Sequence, residues 1–296
     1  MRILLFGKNG QIGKSLYQIL KEKHDVVAVG RKECDFTKEK EIFGIFSDSN
    51  AQLVINAAAY TNVDSAENNF GEAFLVNCNA LKIVSKITEE MGIPIISYST
   101  DYVFDGDSKG EYNENSLTKP INVYGKTKLL GEENLKINSR HIIIRTSRVY
   151  SIYGNNFINK ILLLAKENSE LKVVDDQIGT PTSSDFVALV TSKLIDYILN
   201  KNISYGIYHL TAKGSCSWYE YAKLIIEVAL KNGHNFKADL NKIYAISSRD
   251  FKSNASRPKN SVLSTKKIES LLSIEMPSWE VGVRKITNDI INKKLE

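Results

Sequence analysis

Cysteine is scarce: Cys34, Cys78 and Cys216 are the only three in 296 residues. Their odd number, without metal or redox spacing, argues against a disulfide framework or a zinc module and favours packed thiols in a reducing compartment. Long apolar runs are missing too. No stretch approaches the ~20 apolar residues that span a bilayer. The opening Arg2-Ile-Leu-Leu-Phe6 is too short for a signal-peptide core, so the expected location is cytoplasmic. Blocks of one charge are also absent. The net charge of +5 is spread along the chain, so neither nucleic acid nor a membrane is expected as a partner, although a local positive patch facing a phosphorylated ligand fits.

What is present is ordinary globular material, 43% hydrophobic and 25% charged. That composition argues against extensive disorder, and the length suits one large domain or two smaller ones. The run Arg2–Phe6 reads as a strand buried on both faces, followed by Gly7-Lys-Asn-Gly10-Gln11-Ile12-Gly13 and an amphipathic helix through Leu16, Ile19 and Leu20. Strand, glycine turn and helix together present backbone N–H groups to a pyrophosphate. A lone glycine triplet fits a tight turn equally well. Its place after the first strand favours a dinucleotide, held by Gly7, Gly10, Gln11, Ile12 and Gly13.

The second strand, Val26–Val29, ends at Gly30-Arg31. An acid there would bind the ribose hydroxyls of NAD, whereas Arg31 suits the 2′-phosphate of NADPH; NADH remains the alternative. Asp35 and Phe36 are expected to flank the adenine. A helix is expected over 38–48, then a third strand from Leu53 into Ala57, Ala58, Ala59 and Tyr60. Small side chains there let a ligand lie against the backbone, though packing against a helix would also select them. One long helix is expected from about Glu72 to Met91, and a fourth strand, Pro94–Ser99, delivers Thr100 and Asp101 to the same edge. A polar loop spans 103–120.

After Pro120 a helix carries Tyr124 and Lys128. Residues four apart share a helix face, so phenol and ammonium point into one cleft, and the ammonium is expected to draw the phenol's pKa down towards neutrality. A fifth strand covers 140–145. Beyond it, helices near 156–167, 184–199 and 217–231 and strands at 171–174 and 206–210 read as a second domain. The expected fold is α/β: a Rossmann-like, doubly wound parallel sheet in residues 1–150, with a smaller C-terminal α/β substrate domain in 151–296, interleaved with the first.

Several motifs in register make the whole chain resemble the dTDP-4-dehydrorhamnose reductase family of extended short-chain dehydrogenase/reductases. They are Gly7–Gly13, Asn56-Ala-Ala-Ala-Tyr-Thr61, Ser99-Thr-Asp-Tyr-Val-Phe-Asp-Gly106, Tyr124-Gly-Lys-Thr-Lys128, Gly154-Asn-Asn-Phe157, Asp176-Gln-Ile-Gly-Thr-Pro-Thr182 and Arg257-Pro-Lys-Asn-Ser261. The resemblance implies NAD(P)H-dependent reduction of the C4 ketone of a dTDP-linked 6-deoxy sugar. In it Tyr124 donates the proton, Lys128 steadies the tyrosinate and holds the nicotinamide ribose, and Thr100 orients the carbonyl. It also implies substrate contacts at Thr100, Asp101, Asn155, Asn156 and Arg257.

One departure is Arg148, within Thr146-Ser-Arg-Val-Tyr150, where the family usually has tryptophan. An arginine there can stack on a ring or pair with a phosphate, which leaves the sugar and base open. Some relatives form a magnesium-linked dimer through a carboxylate on the first helix. Ser15 stands at that position here, so neither the metal nor that dimer is expected, and a homodimer of another kind is left open. Competing readings are a reductase of another nucleotide-linked keto sugar, a non-catalytic regulatory relative, and an epimerase or dehydratase.

Overall fold

The leading apolar run forms β1 (Arg2–Phe6), which passes through the glycine turn into α1 (Gln11–Leu20); β2 (Asp25–Val29), α2 (Glu39–Ser49) and β3 (Leu53–Asn56) follow. The computed structural model describes residues 1–200 and 204–293. Residues 201–203 and 294–296, the latter closing the expected second domain, lie outside the described residues.

The single helix expected over 72–91 is instead built in pieces. The structure has α3 (Val63–Asn68), α4 (Phe70–Phe74), one π-helical turn (Leu75–Asn79) and α5 (Ala80–Glu90). The wider turn brings Asn77 against the strand-end loop, where its side chain accepts from Tyr60 N at 2.8 Å and donates to Tyr60 O at 3.0 Å. Such turns recur at functional sites. β4 (Ile95–Thr100), α6 (Val123–Leu135) and β5 (His141–Thr146) come next.

Beyond residue 148 run β6 (Val149–Tyr150), α7 (Phe157–Glu167), β7 (Leu171–Val174), β8 (Ile178–Gly179), β9 (Thr182–Ser183), α8 (Ser184–Leu199) and β10 (Gly206–His209). The chain ends with β11 (Cys216–Ser217), α9 (Trp218–Lys231), β12 (Ile243–Ile246), α10 (Lys266–Leu272) and α11 (Trp279–Lys293).

Among the described residues, six strands form one sheet in the order β10-β5-β4-β3-β1-β2, every neighbouring pair parallel. Alternation along the strand explains why β1 is apolar at each position from Ile3 to Phe6. Ile3 and Leu5 pack on one face with α1, α8 and α10, while Leu4 and Phe6 pack on the other with α2 and α5. Burying each such side chain is worth about 2 kcal/mol. The strand order reverses between β1 and β3, which opens a crevice at their carboxyl ends. A third cluster joins α7, α9 and α11 to the parallel pair β7–β12. The second half of the chain is thus divided: β10 completes the sheet, α8 and α10 cover one of its faces, and other elements build a lobe beside it.

Candidate active site

The crevice begins at the glycine turn, where each glycine has a separate reason. Gly7 has φ +84°, and a Cβ on it would stand 2.5 Å from Ala57 C. One on Gly13 would stand 2.0 Å from the Gly7 carbonyl oxygen. These two glycines let β1, α1 and the end of β3 close on one another. Gly10 differs: the nearest atom to a Cβ there is 3.4 Å away, and the α1 N-terminus it begins has no side-chain cap. Gly10 borders a cavity of about 240 Å³ lined also by Arg31, Asp35, Phe36, Ala58, Ala59 and Tyr60. An uncapped helix end over a walled cavity fits the pyrophosphate and adenosine of a dinucleotide. Ile12 lies in the first turn of α1 and packs against the core.

The other residues expected near the cofactor divide. Arg31 is exposed and flanked by acids, 2.9 Å from Glu72 and 3.6 Å from Asp35. Asp35 also accepts from Thr37 N and Oγ1. Phe36 is mostly core, edge-on to Phe6 at 5.0 Å. Gln11 turns towards the C-terminal lobe, where Ser151 and Asn156 approach its Oε1 at 3.2 and 3.3 Å.

Helix α6 begins at Asn122, which caps Gly125 N at 2.7 Å and donates to Ser256 O at 2.8 Å. This fixes Tyr124 in the first turn and Lys128 one turn on. Lys128 is buried and donates to Tyr98 O at 2.7 Å. Burial lowers its pKa to about 8, against the opposing pull of Glu132. The expected lowering of the Tyr124 pKa is corrected here. Burial pushes the phenol up, Asp101 and Tyr102 push the same way, and the opposing contact is a hydrogen bond with Thr100. In this structure the ammonium bonds a carbonyl on β4, and burial dominates the phenol's pKa.

Thr100 ends β4, buried, with its hydroxyl 3.0 Å from Asp101 Oδ1 and 3.1 Å from Tyr102 N. With Tyr124 these partners occupy one proton and two lone pairs. Thr100 thus stands beside Tyr124 at the carboxyl end of β4. Asp101 is buried and accepts from Ser147 Oγ at 2.7 Å. Burial raises its pKa, against hydrogen bonds from Ser261, Ser147 and Thr100 and the Arg148 charge.

Arg148 adopts φ +45°, unusual for a side chain of its size. Its guanidinium lies 4.1 Å from the Trp218 ring centroid and donates to Cys216 O at 2.9 Å and Gln177 O at 2.7 Å. Arg257 binds Asp64 at 2.6 Å, donates to Ser253, and reaches Tyr102. Asn156 caps α7, accepting from Asn159 N at 3.3 Å and donating to Ser151 O at 2.7 Å. Asn155 is exposed.

Sequence reasoning missed the larger cavity. About 900 Å³ opens between α7, β7, α9 and the 248–257 segment, lined by Lys160, Trp218, Arg249, Phe251 and Arg257 among others. Its near wall is shared with Arg148 through Gln177 and Trp218, and with the Tyr102–Tyr124 pair through Arg257; those two rings meet edge-on at 5.8 Å. These three cations and two aromatic rings suit a nucleotide diphosphate. The residues come from separate segments; Arg257 lies in a motif and Trp218 starts a capped amphipathic helix, while Lys160, Arg249 and Phe251 gave no local signal.

Comparison with known proteins bears on this arrangement. The family model described as RmlD substrate binding domain matches residues 1–292. The dTDP-4-dehydrorhamnose reductase of Escherichia coli (strain K12) is 39% identical over 295 residues, covering 98% of each chain. The crystal structure of dTDP-4-dehydrorhamnose reductase from Bacillus anthracis str. Ames, in complex with NADP, superposes with TM-score 0.89 at 35% identity, covering 97% of this chain and 99% of that one. A Clostridium acetobutylicum dTDP-4-dehydrorhamnose reductase structure gives TM-score 0.89 at 34% identity, covering 99% and 100%. A glycine-cradled crevice, a Thr100–Tyr124 contact with Lys128 one helical turn on, and matches running almost end to end agree: the chain belongs to the RmlD substrate binding domain family, alongside the dTDP-4-dehydrorhamnose reductases.

Proposed function

We propose that this protein reduces the C4 ketone of dTDP-4-dehydro-6-deoxy-L-mannose to dTDP-L-rhamnose with NADPH, NADH serving as a poorer substitute. The supporting observation is the Thr100–Tyr124 contact, standing at the carboxyl edge of the sheet and joined through Tyr102 and Arg257 to the larger cavity. NADPH, when bound, supplies the hydride. Gly10 lets the backbone approach its pyrophosphate, Gly7 and Gly13 hold the turn closed beneath it, and Arg31 meets the 2′-phosphate. Tyr124 gives its proton to the carbonyl oxygen as negative charge gathers there. Lys128, protonated below about 8, favours the tyrosinate left behind and holds the nicotinamide ribose. The larger cavity takes the nucleotide diphosphate, with Arg249, Lys160 and Arg257 near the phosphates and Trp218 or Phe251 against the base. The same reading puts the protein in the cytoplasm, where its three free cysteines stay reduced.

A second reading, reduction of a keto sugar on a different nucleotide, is favoured by Arg148, whose cation is set into the wall shared by Asp101 and Trp218. The experiment that separates them follows NADPH absorbance with dTDP-4-keto-L-rhamnose beside its UDP analogue. Stoichiometric oxidation with the dTDP sugar is expected. Oxidation only with the UDP sugar selects the second reading, and none with either, despite NADPH binding, rejects both.

A further inference from the structure

Thr100 Oγ1 has three neighbours and a fixed capacity. Tyr102 N–H takes one lone pair at 3.1 Å. What remains is one lone pair and one proton, shared between Asp101 Oδ1 at 3.0 Å and the Tyr124 hydroxyl. Only two arrangements satisfy this count. When Asp101 is ionised, Thr100 donates to it and accepts from Tyr124, so the single Tyr124 proton points away from any substrate. When Asp101 is protonated on Oδ1, it donates to Thr100, Thr100 donates to the Tyr124 oxygen, and the Tyr124 proton is free.

The partners of Asp101 tolerate both states. Each one recorded for its carboxyl is a hydroxyl: Thr100, Ser147 at 2.7 Å, and Ser261. A hydroxyl donates or accepts as required, whereas a backbone N–H or a direct cation fixes a carboxylate. Asp64 and Asp176 make the contrast, since each accepts a backbone N–H and is held below the ordinary carboxylate range. The charged and titratable groups facing Asp101 are Arg148, Tyr102 and Tyr124. The Arg148 guanidinium spends its bonds on Gln177 O and Cys216 O. Burial at 3% exposure favours the neutral acid and opposes that cation.

We propose that Asp101 is the positioning residue whose proton turns the Thr100 hydroxyl towards Tyr124, frees the Tyr124 proton for the substrate carbonyl and replaces it after transfer. The proposal rests on the reductase reading. In the step, hydride from NADPH forms the new C–H bond, leaving NADP⁺, and the carbonyl π pair moves to oxygen, which takes the Tyr124 proton. The phenolate then takes the Thr100 proton, Thr100 takes that of Asp101, and the Asp101 carboxylate recovers one from solvent. One ketone, one hydride and one proton yield one alcohol.

The test uses the full chain with NADPH bound. Infrared difference spectra, wild type minus Asp101→Asn, taken over the pH range in which the enzyme stays folded, are expected to contain one titrating carboxylic-acid band, with a Tyr124 band moving in step. Thr100→Val uncouples the two. A carboxylate band alone across that range overturns the proposal, whether or not any sugar is reduced. If Asp101→Asn does not fold, wild type minus Thr100→Val is used, and an unshifted carboxyl band overturns it equally. Coupled titration without oxidation of NADPH by dTDP-4-keto-L-rhamnose counts against the substrate reading and supports the proton chain.

The kinetic arm follows from the amide of Asp101→Asn, which still donates to Thr100 but has no proton to release. A first turnover within about threefold of wild type is expected, then a steady-state rate about tenfold or more slower, with KM and NADPH affinity near wild type. A raised KM at unchanged kcat would make Asp101 a substrate contact only and overturn the proposal. Equal losses in the first and later turnovers would also overturn it.

Discussion

Arg145 grips Glu132 with two bonds, Nη2 to Oε2 at 2.6 Å and Nε to Oε1 at 3.0 Å, both side chains no more than 3% exposed. The Ser99 hydroxyl also donates to Oε1. Glu132 stands one helical turn beyond Lys128, so this pair fixes the side of α6 that faces β4 and β5. Removing one partner strands a buried charge. Glu132→Ala is expected to cost about 3–5 kcal/mol in urea unfolding. Glu132→Leu combined with Arg145→Met is expected to recover most of the loss, and a double variant as unstable as the single one would contradict this account.

The glycines of the first turn are expected to separate fold from ligand. Gly13→Ala puts a Cβ 2.0 Å from the Gly7 carbonyl, so the helix must shift and both the melting temperature and NADPH binding fall. Gly10→Ala meets nothing nearer than 3.4 Å. Its melting temperature is expected within about 3 °C of wild type, with NADPH affinity down about tenfold. Fluorescence titration beside thermal melts distinguishes the two.

Lys128 sets an alkaline limit. Its pKa, lowered by burial to about 8, means that the ammonium is present below that pH and lost above it. In the free enzyme kcat/KM is therefore expected to fall as pH rises through about 8. Lys128→Met should remove this limb along with most activity. A profile flat to about pH 10 in the wild type would sink the assignment.

His209 makes the fold acid-sensitive. Burial first, and the Arg145 charge second, lower its pKa to about 3, and its two ring nitrogens face Arg145 Nη1 at 3.4 Å and Tyr112 O at 3.1 Å. The native state keeps the ring neutral, while the unfolded chain binds a proton below the model value of 6.5. Stability is untouched above 6.5 and falls as pH drops towards about 3, by about 1.4 kcal/mol per pH unit at most. His209→Gln is expected to lower the acid-unfolding midpoint, measured by circular dichroism against pH.

The strands and the glycine turn were legible because their causes are local: β1 is apolar at consecutive positions and Gly7–Gly13 sits directly behind it. Tyr124 and Lys128 were legible as a pair, but their electrostatics depended on the Tyr98 carbonyl, which belongs to another element. The π-helical turn left no trace, since Leu75–Asn79 is as compatible with α-helix and the contacts of Asn77 in the wider turn, with Tyr60 and Thr127, join distant segments. The α11 helix did leave a signal in Val283, Ile286 and Ile290, diluted by polar residues between them. The larger cavity was hidden because Lys160, Trp218 and Arg249 converge only through folding.

The placement of β10 has a consequence for how the chain matures. This strand pairs along all four of its residues with β5, yet they are separated in the sequence by the whole of α7 through α8. As a nascent chain emerges, the first five strands of the sheet are complete while β5 is still an unprotected edge and the face later covered by α8 is bare. The nucleotide crevice is thus encoded early but its supporting sheet is sealed late, and a stalled or truncated product ending near residue 150 would be a substrate for chaperones and proteases rather than an autonomous cofactor-binding unit.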